Sequence, residues 1–271
     1  MKTEMINLIF SVIYLINKML KLLGIKTAYP VILCYHAVEK SKYEFAINPK
    51  SFKDQIDFLR KNRNVVSVSN LLAHDNKNNY NKVAITFDDG YQSVLFNAAP
   101  LLKKYSLPAT FFLLGNVSQV RKDELENNLK LLTNNEAKKL LTKEFEIGSH
   151  TISHPDLSKL SNSEIAQEII ESKKMLEKRL AKKIKYIAYP KGIYNKEVIK
   201  AVKKAGYKAA FTVESKNFNY EEQSYKIPRY CVGNSTNLRT FEAILTPIGL
   251  KFADLMYRLY KFNDTRTDFL H

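Results

Sequence analysis

Two histidines and a pair of carboxylates follow apolar segments of this sequence and together could hold a metal ion. Asp88 and Asp89 come directly after the run VAITF, His150 closely follows FEIG, and His154 comes four residues later. Two histidines and one carboxylate are a normal ligand set for a catalytic zinc ion, which keeps a further position open for water or substrate. The spacing of the two histidines lets both reach one ion if the segment between them makes a single turn.

A hydrolytic site of this kind also needs a general base and a general acid. The second carboxylate of the Asp88-Asp89 pair can serve as the base, and a protonated imidazole can serve as the acid toward a leaving amine. His36, which follows the apolar run VILCY, supplies that imidazole. Each motif alone has an ordinary structural explanation, since Asp and Gly favour turns and a histidine at a strand end often donates to a carbonyl. All of them, however, follow apolar segments directly.

Short apolar runs alternate with helical patterns along most of the chain. The candidate strands are Val31 to Tyr35, Val83 to Phe87, Ala109 to Leu114, Phe145 to Gly148, Ile184 to Ala188, Ala209 to Val213 and Tyr225 to Pro228. The candidate helices are Ser51 to Lys61, Ser93 to Tyr105, Asn134 to Thr142, Ser163 to Leu180 and Lys196 to Ala205, followed by C-terminal helical material from Asn237, broken at Pro247 and Gly249. Ser161 and Glu164 form a capping box before the fourth helix.

This alternation predicts parallel strands joined by crossover helices. About seven strands without a GxGxxG turn favour an α/β barrel over a doubly wound sheet. The carboxyl ends of barrel strands share one face, where active sites collect. His36, Asp88, Asp89, His150 and His154 are therefore expected to converge although they lie far apart in the sequence.

The first 26 residues carry an apolar run, Met5 to Ile16, that is too short to span a bilayer comfortably. On a helix, the polar side chains of this segment share one stripe opposite a broad apolar face: Asn7, Ser11, Tyr14, Lys18 and Lys21. That pattern is typical of a helix in the membrane interface, with a secretory signal or a helix packed on the domain as alternatives. We divide the chain into an N-terminal helix, 1–26, and a catalytic domain with a C-terminal helical extension, 27–271.

The chain is strongly basic, with 43 Lys and Arg against 27 Asp and Glu among 271 residues, a net charge of +16. Its 45% hydrophobic content is enough for a core and excludes a mainly disordered chain. The positive charge favours anionic surroundings such as phospholipid headgroups, anionic polymers or nucleic acid. Because no nucleic-acid-binding motif accompanies the charge, a nucleic-acid partner is not expected. Cys34 and Cys231 lie far apart outside any CxxC spacing, which supports neither a disulfide scaffold nor a cysteine-ligated zinc module.

The motifs resemble those of the polysaccharide deacetylases, carbohydrate esterase family four. TFDDGY at 86–91 and SHTISHPDL at 149–157 are similar to the first and second motifs of that family in order and separation. The resemblance covers approximately residues 31–232 and implies a distorted (β/α)7 barrel, which the strand count suggests independently. It also implies Asp88 as the catalytic base, and Asp89, His150 and His154 as ligands of a divalent metal ion. Zinc is the default ion for this set, although cobalt, nickel, manganese or iron could occupy it.

The third family motif, Arg-x-Pro-Tyr, departs here to Ala188-Tyr189-Pro190-Lys191. In the family that arginine orients the base, and we predict that Arg229 replaces it. The backbone N–H of Lys191 is expected to take the place of the family tyrosine N–H that holds the oxyanion, since a backbone donor does not depend on side-chain type. The usual C-terminal histidine motif, the source of the general acid, is also missing. The segment from Tyr35 to Val38 instead resembles the poly-β-1,6-N-acetylglucosamine deacetylase branch, which implies His36 as the acid.

The resemblance and the residues together predict metal-dependent hydrolysis of N-acetyl groups on hexosamine units of a polysaccharide or glycolipid, with release of acetate. Aromatic side chains near the site are candidates to stack on sugar rings: Tyr91, Tyr189, Tyr194 and Phe218. Hydrolysis of another amide or of an O-acetyl ester is an alternative activity, and a catalytically silent carbohydrate-binding protein is an alternative of another class. Through its charge and residues 1–26 the chain is expected at a membrane or in the cell envelope, with the cytoplasmic face not excluded.

Overall fold

The computed structural model of the chain describes residues 2–25, 27–73, 80–121, 124–126, 128–214 and 223–263. Its strands are β1 (Val31–Tyr35), β2 (Ala37–Val38), β3 (Ala46–Ile47), β4 (Asn64–Val65), β5 (Lys82–Phe87), β6 (Ala109–Leu113), β7 (Phe145–Ser149), β8 (Tyr186–Ala188), β9 (Ala209–Phe211) and β10 (Tyr230–Cys231). Eight of them form one sheet in the order β10-β1-β5-β6-β7-β8-β9, with β4 added beside the start of β5, and every described pairing in it is parallel. The small strands β2 and β3 pair separately.

The sheet curls until its two ends approach each other. Phe211, at the end of β9, forms a parallel bridge with Ile227, and four residues later Cys231 pairs with Cys34 of β1. The segment from Ile227 to Cys231 therefore joins β9 to β1 and closes a distorted barrel with helices outside it, which confirms the predicted fold class. The last predicted strand, Tyr225 to Pro228, is wrong in position. Pro228 has no N–H for a ladder, and regular pairing with β1 begins only after it.

Successive residues along a strand belong alternately to two apolar clusters. In β1, Leu33 and Tyr35 belong to the main core between the sheet and the helices, whereas Ile32 belongs to a second cluster with Phe112 and Phe211. Because side chains alternate across a strand, the second cluster fills the barrel interior. Even-numbered positions of β1 and β5 thus point inward, toward the site described below.

The α-helices are α1 (Lys2–Leu22), α2 (Pro49–Asn62), α3 (Val68–Leu71), α4 (Ala99–Lys104), α5 (Asn134–Lys138), α6 (Asn162–Leu180), α7 (Lys196–Lys204), α8 (Leu238–Ile244) and α9 (Pro247–Asn263). The predicted capping box is confirmed: Ser161 Oγ accepts from the Glu164 N–H, and the Glu164 carboxylate accepts from the Ser161 N–H. The predicted helix Ser93 to Tyr105 is divided into a π-helical turn, Val94–Ala98, and α4. Pro100 lacks the N–H that a continuous α-helix would use, which accounts for the wider turn before it.

The predicted break in the C-terminal helical material is confirmed at Pro247 and is wrong at Gly249. Helix α8 ends at Ile244, and Pro247 starts α9, a position where its missing N–H costs nothing. Gly249 lies inside α9, where an added Cβ would be 1.9 Å from the Ala243 carbonyl oxygen. The glycine therefore allows the close approach of α9 to α8.

Helix α1 packs on α8 and α9. Phe10, Ile13 and Asn17 are buried on this side, with Phe10 edge-on to Phe252 at 5.0 Å and Asn17 Nδ2 donating to Thr246 Oγ1 at 2.9 Å. The opposite side remains exposed and apolar, so the broad apolar face expected from the sequence is divided between the core and the surface. Among the described residues, no helix is long and apolar enough to cross a membrane. The division at residues 26 and 27 stays a prediction.

Candidate active site

Five of the predicted site residues meet at the carboxyl ends of the barrel strands. His36 follows β1, Asp88 and Asp89 follow β5, and His150 follows β7, while His154 returns from the loop after β7. One ligand atom each from Asp89, His150 and His154 lie within 4.8 Å of one another. The same distance limit holds for Cys34, His36 and Asp88. The predicted convergence therefore occurs.

The turn after β5 explains the sequence Asp-Asp-Gly. Asp89 and Gly90 both adopt left-handed backbone conformations, with φ of 67° and 78°. Aspartate tolerates this conformation better than most residues and glycine adopts it freely. The Asp88 N–H donates to the Tyr35 carbonyl at 2.9 Å, which fixes the turn to the end of β1. As a result, the two adjacent carboxylates contact different side chains: Asp88 contacts Arg229, and Asp89 contacts the two histidines.

Asp89, His150 and His154 form a cluster suited to a metal ion. Asp89 Oδ1 lies 3.3 Å from His150 Nε2 and 3.5 Å from His154 Nε2. Within the described residues this oxygen accepts no hydrogen bond of good geometry, although it is buried. Since His150 Nδ1 is 2.9 Å from the Ala188 carbonyl, it carries the proton and leaves Nε2 free as a ligand. These buried, converging donors fit a divalent ion such as zinc.

The charges around the cluster set its protonation. Burial lowers the pKa of His154 to about 3. Burial acts in the same direction on His150, but Asp88 and Asp89 outweigh it, so the pKa of His150 is raised above its usual value. Burial alone would raise the pKa of Asp89, whereas its close contact with His150 and the charges of the histidines hold that pKa below its usual value. His154 is therefore neutral and Asp89 ionised at neutral pH.

Glu168, which the sequence analysis missed, holds the turn between the two histidines. Its carboxylate accepts hydrogen bonds from the N–H groups of Ile152 and Ser153 at 2.8 and 3.2 Å, and from Ser153 Oγ at 2.7 Å. Thr151 and His154 have φ of 69° and 64°, so this turn needs support. Glu168 lies at the edge of the apolar face of α6, where Glu164 and Ser172 are its neighbours on the helix, so the sequence does not single it out. Its hydrogen bonds join segments 15 and 16 residues apart, so the spacing of residues along the helix does not reveal them.

Asp88 forms a buried bidentate ion pair with Arg229, the residue predicted to replace the family arginine. Arg229 Nη1 and Nη2 donate to Asp88 Oδ1 and Oδ2 at 2.7 and 2.6 Å. Arg229 Nε donates to the Thr212 carbonyl at 3.0 Å, and its guanidinium lies over the neighbouring rings of Phe112 and Phe211, 5.2 and 5.8 Å from their centroids. Burial alone would raise the pKa of Asp88, but the guanidinium, together with His150 and His36, outweighs burial and holds the pKa well below its usual value. The carboxylate is therefore kept ionised and fixed in direction.

His36 lies beside this ion pair and against Phe45, with ring centroids 5.0 Å apart. Its Nδ1 is buried and has no hydrogen-bond partner among the described residues. Burial lowers the pKa of His36, and Asp89 and Asp88 partly oppose that effect. The protonated imidazole is accordingly a stronger acid than an ordinary histidine.

Lys191 lies in a tight turn after β8, where Lys191 and Gly192 have φ of 57° and 68°. An added Cβ on Gly192 would be 2.4 Å from Val213 Cγ2, so this turn packs directly against the segment that follows β9. Lys191 Nζ is 2.9 Å from Glu124 Oε2 in a mostly buried ion pair. The charge of Lys191 also contributes to the lowered pKa of His154.

The predicted stacking of sugar rings on Tyr91 and Tyr189 is wrong for this structure, because both side chains are 0% exposed. Tyr189 stacks on Tyr194 and donates to the Tyr225 carbonyl at 3.0 Å. Tyr91 accepts from the Glu126 N–H at 3.3 Å. Both rings pack in the interior, where a large ring stabilises the fold most because all of its surface is buried. Phe218 lies outside the described residues.

Comparison with known proteins assigns the family. The sequence model of the polysaccharide deacetylase family matches residues 75–210. YxkH of Bacillus subtilis, named as a polysaccharide deacetylase, is 31% identical over 228 residues, which cover 82% of this chain and 78% of the relative. The chain belongs to the polysaccharide deacetylase family, as its motifs predicted. It is a hydrolase of the group that acts on carbon–nitrogen bonds other than peptide bonds.

Two further relatives are more specific in name or in fold. The poly-β-1,6-N-acetyl-D-glucosamine N-deacetylase of Staphylococcus aureus is 29% identical over 230 residues, covering 74% of this chain and 78% of that protein. The structure of the Streptococcus pyogenes deacetylase PplD in complex with acetate has a TM-score of 0.66 at 24% identity, and the match covers 78% of this chain and 97% of PplD. The second similarity establishes the fold.

Proposed function

We propose that the chain removes N-acetyl groups from N-acetylglucosamine units of a β-1,6-linked polysaccharide and that it needs a divalent metal ion. The observation that carries the proposal is the meeting of an Asp–His–His cluster, a buried Asp88–Arg229 pair and His36 at one end of the barrel. The substrate is supported by the name of the S. aureus relative and by the histidine at the end of the first strand.

Asp89, His150 and His154 would hold the metal ion through one carboxylate oxygen and two imidazole nitrogens. A divalent ion in such a site polarises a carbonyl and lowers the pKa of water. Zinc is the proposed ion, because two histidines and one carboxylate suit it and its open coordination position.

The chain itself supplies the proton transfers. Asp88, ionised and aligned by Arg229, accepts a proton from the water that attacks the acetamide carbon. The Lys191 N–H donates to the oxyanion that develops on the carbonyl oxygen. His36 donates a proton to the amine nitrogen as the carbon–nitrogen bond breaks. The products are acetate and a free amino sugar, so each turnover adds a positive charge to the polymer.

Phe45 is the aromatic residue we propose for contact with the sugar in place of Tyr91 and Tyr189. Its ring lies against His36 and is only half-buried. An aromatic face next to the proton donor can position an apolar sugar face by stacking, while the polar edge of the sugar stays in water.

Acetate release from defined oligomers tests the proposed function. Purified protein is treated with chelator, returned to zinc, and assayed on β-1,6-linked and β-1,4-linked N-acetylglucosamine oligomers and on an O-acetylated glycan. We expect zinc-dependent release from the β-1,6 oligomer, a loss of at least about 100-fold in kcat for His36→Ala, and retained zinc binding in Asp88→Asn. His36→Ala at wild-type activity would exclude the first-strand acid.

The same assay distinguishes the alternatives. Release of acetate from the O-acetylated glycan alone would show that the site hydrolyses an ester and not an amide. Zinc binding without release from any oligomer would indicate a silent carbohydrate-binding protein. Tyr14→Phe, a change on the outer helix α1 that keeps the ring, is the matched control and should match the wild type.

We also propose that helix α1 binds the surface of an anionic bilayer. Six large apolar side chains form one exposed stripe along it at spacings of three and four residues, with exposed fractions from 48% to 84%: Met5, Leu8, Val12, Leu15, Met19 and Leu22. A stripe of this kind can bury itself between lipid headgroups without spanning the membrane. Lys18 and Lys21 are exposed beside it, and the chain carries a net charge of +16. These charges complement anionic headgroups.

Vesicle binding tests the membrane proposal with the complete chain. Wild-type protein should sediment with vesicles that contain anionic phospholipid more than with neutral vesicles. The triple variant Leu8→Ser, Leu15→Ser, Leu22→Ser should lose most of this binding while keeping its acetate release. Phe96→Ser changes an exposed apolar residue outside α1 and is the control. Equal sedimentation of the triple variant, or a stripe that instead forms a dimer in solution, would contradict the proposal.

A further inference from the structure

The two cysteines, which no predicted motif explains, lie opposite each other beside the base. Cys34 of β1 and Cys231 of β10 are register partners in adjacent parallel strands. Neighbouring strands are about 4.8 Å apart, within the Cα separations of about 4.4–6.8 Å that a disulfide spans. Register partners point to the same side of a sheet, and both thiols are free. The Cys34 thiol is hydrogen-bonded to that of Cys231, and burial, followed by this contact, raises the pKa of Cys34.

The Cys34 thiol donates to Asp88 Oδ2 at 3.4 Å. This is the oxygen that also accepts from Arg229 Nη2 at 2.6 Å and lies 3.9 Å from His150 Nε2. A carboxylate oxygen has about two acceptor positions, so Cys34 and Arg229 together fix the direction of the oxygen that faces the histidine cluster. Cys34 is a positioning residue for the base.

Access to solvent differs between the two thiols. Cys34 is fully buried, whereas Cys231 is partly exposed. An oxidant in solution therefore meets Cys231 first, and Cys34 is placed to act as the second, resolving thiol.

We propose that Cys34 and Cys231 form a modification site at which a peroxide makes a disulfide that withdraws the thiol donor from Asp88 and slows deacetylation. This inference rests on the proposed role of Asp88 as the base. The Cys231 sulfur attacks one peroxide oxygen, the O–O bond breaks, and a sulfenic acid and one water form. The Cys34 sulfur then displaces the hydroxyl group from the Cys231 sulfur, the S–S bond forms, and a second water leaves. Two thiols and one hydrogen peroxide thus give one disulfide and two waters.

The experiment follows the disulfide and the activity separately on the full chain. Reduced, zinc-loaded protein is treated with graded hydrogen peroxide, digested without reductant and mapped by mass spectrometry, and acetate release is measured before and after a dithiol reductant. We expect a Cys34–Cys231 peptide pair that is lighter by two hydrogens than its thiols, with a fall in kcat of about threefold to tenfold, the range expected for one lost hydrogen bond. Reductant should restore the activity.

Cysteine variants identify the cause. Reduced Cys231→Ser should match the wild type in kcat and resist peroxide. Reduced Cys34→Ala should show the lower kcat without oxidation and with unchanged KM, while Cys34→Ser, which restores a donor, should recover much of it. A merely structural role of Cys34 would not give this difference between Ala and Ser.

Each outcome decides the inference. Absence of the linked peptide after peroxide treatment overturns it, and so does a complete disulfide with unchanged kcat. If the reduced wild type releases no acetate from any substrate, the proposed function fails, while peptide mapping still shows whether the thiol pair is the modification site.

Discussion

At the residue scale, the adjacent carboxylates of Asp88 and Asp89 have different partners. Asp88 is paired with a guanidinium that keeps it ionised, while Asp89 faces imidazole nitrogens and has an oxygen free for a metal ion. The turn that produces this difference needs left-handed backbone at Asp89 and Gly90. One dipeptide therefore supplies both the base and a ligand because the chain reverses between them.

Removal of Arg229 tests the base at this scale. Arg229→Ala leaves a buried carboxylate unpaired, so we expect at least about 100-fold lower kcat and a free energy of unfolding lower by about 3–5 kcal/mol. Arg229→Lys keeps the charge but loses the bidentate geometry and should be intermediate. Steady-state kinetics and denaturant unfolding measure both effects, with exposed Arg258→Ala as control. Wild-type kcat in Arg229→Ala would mean that another group orients Asp88.

The raised pKa of His150 predicts how metal binding depends on pH. A histidine must be neutral to bind a metal, so protonation competes with the ion. Because Asp88 and Asp89 raise the pKa of His150, zinc affinity should fall as the pH drops through values above an ordinary histidine pKa. Asp88→Asn removes part of that effect and should shift the loss to lower pH. Competition with a chromophoric chelator across pH measures this, and identical profiles for both proteins would contradict it.

At the element scale, the site depends on turns after strands that helices hold in place. The loop from His150 to His154 is hydrogen-bonded to α6 through Glu168, and α6 itself begins at its capping box. The segment before β10 brings Arg229 into the barrel and closes it in the same few residues. The same short segment therefore closes the barrel and aligns the carboxylate of Asp88.

Glu168→Gln tests the support of the histidine loop. Loss of the carboxylate weakens three hydrogen bonds to the turn, so we expect zinc affinity to fall about 10- to 100-fold, as for other groups that orient metal ligands. Isothermal titration with zinc measures the change. Glu171→Gln, on the same helix but paired with exposed Lys174, is the control. Unchanged affinity in Glu168→Gln would show that the turn holds its shape without α6.

At the scale of the whole molecule, the site and α1 lie toward opposite ends of the strands. Arg63 donates to the carbonyls of Tyr29 and Asn81, which precede β1 and β5, and to that of Leu245 at 2.7 Å. Arg63, Asn81 and Leu245 line a cavity of about 630 Å³. Asn17, Lys18 and Lys21 of α1 line the same cavity. The proposed bilayer surface is thus near the amino ends of the strands, whereas the catalytic groups stand at the carboxyl ends.

Deletion of residues 1–26 separates stability from catalysis. It removes Phe10 and Ile13 from the core, so we expect the free energy of unfolding to fall by about 3 kcal/mol, at about 1.5 kcal/mol or more for each buried side chain. Where the truncated protein remains folded, kcat should stay within about twofold of the wild type, because α1 contacts none of the catalytic groups described here. Thermal unfolding and acetate release measure the two effects. An unchanged unfolding free energy would mean that α1 is not part of the folded core.

The sequence by itself determined the fold class, the order of the strands along the chain and the five residues that converge. These follow from local patterns: short continuous apolar runs, helical runs with a capping box, and motifs placed directly after strands. The resemblance to a known family added roles for those residues. It also directed attention to Arg229, because a missing arginine implied that another cation had to replace it.

Only the tertiary structure decided which side chains around the site are accessible and which contacts support it. Tyr91 and Tyr189 carry no local sign that they are buried, and Glu168 carries none that it holds a loop sixteen residues before it. Cys34 and Cys231 become neighbours only when the ends of the sheet meet. Burial and long-range contact arise from the packing of distant segments, and a pattern read along one segment does not contain them.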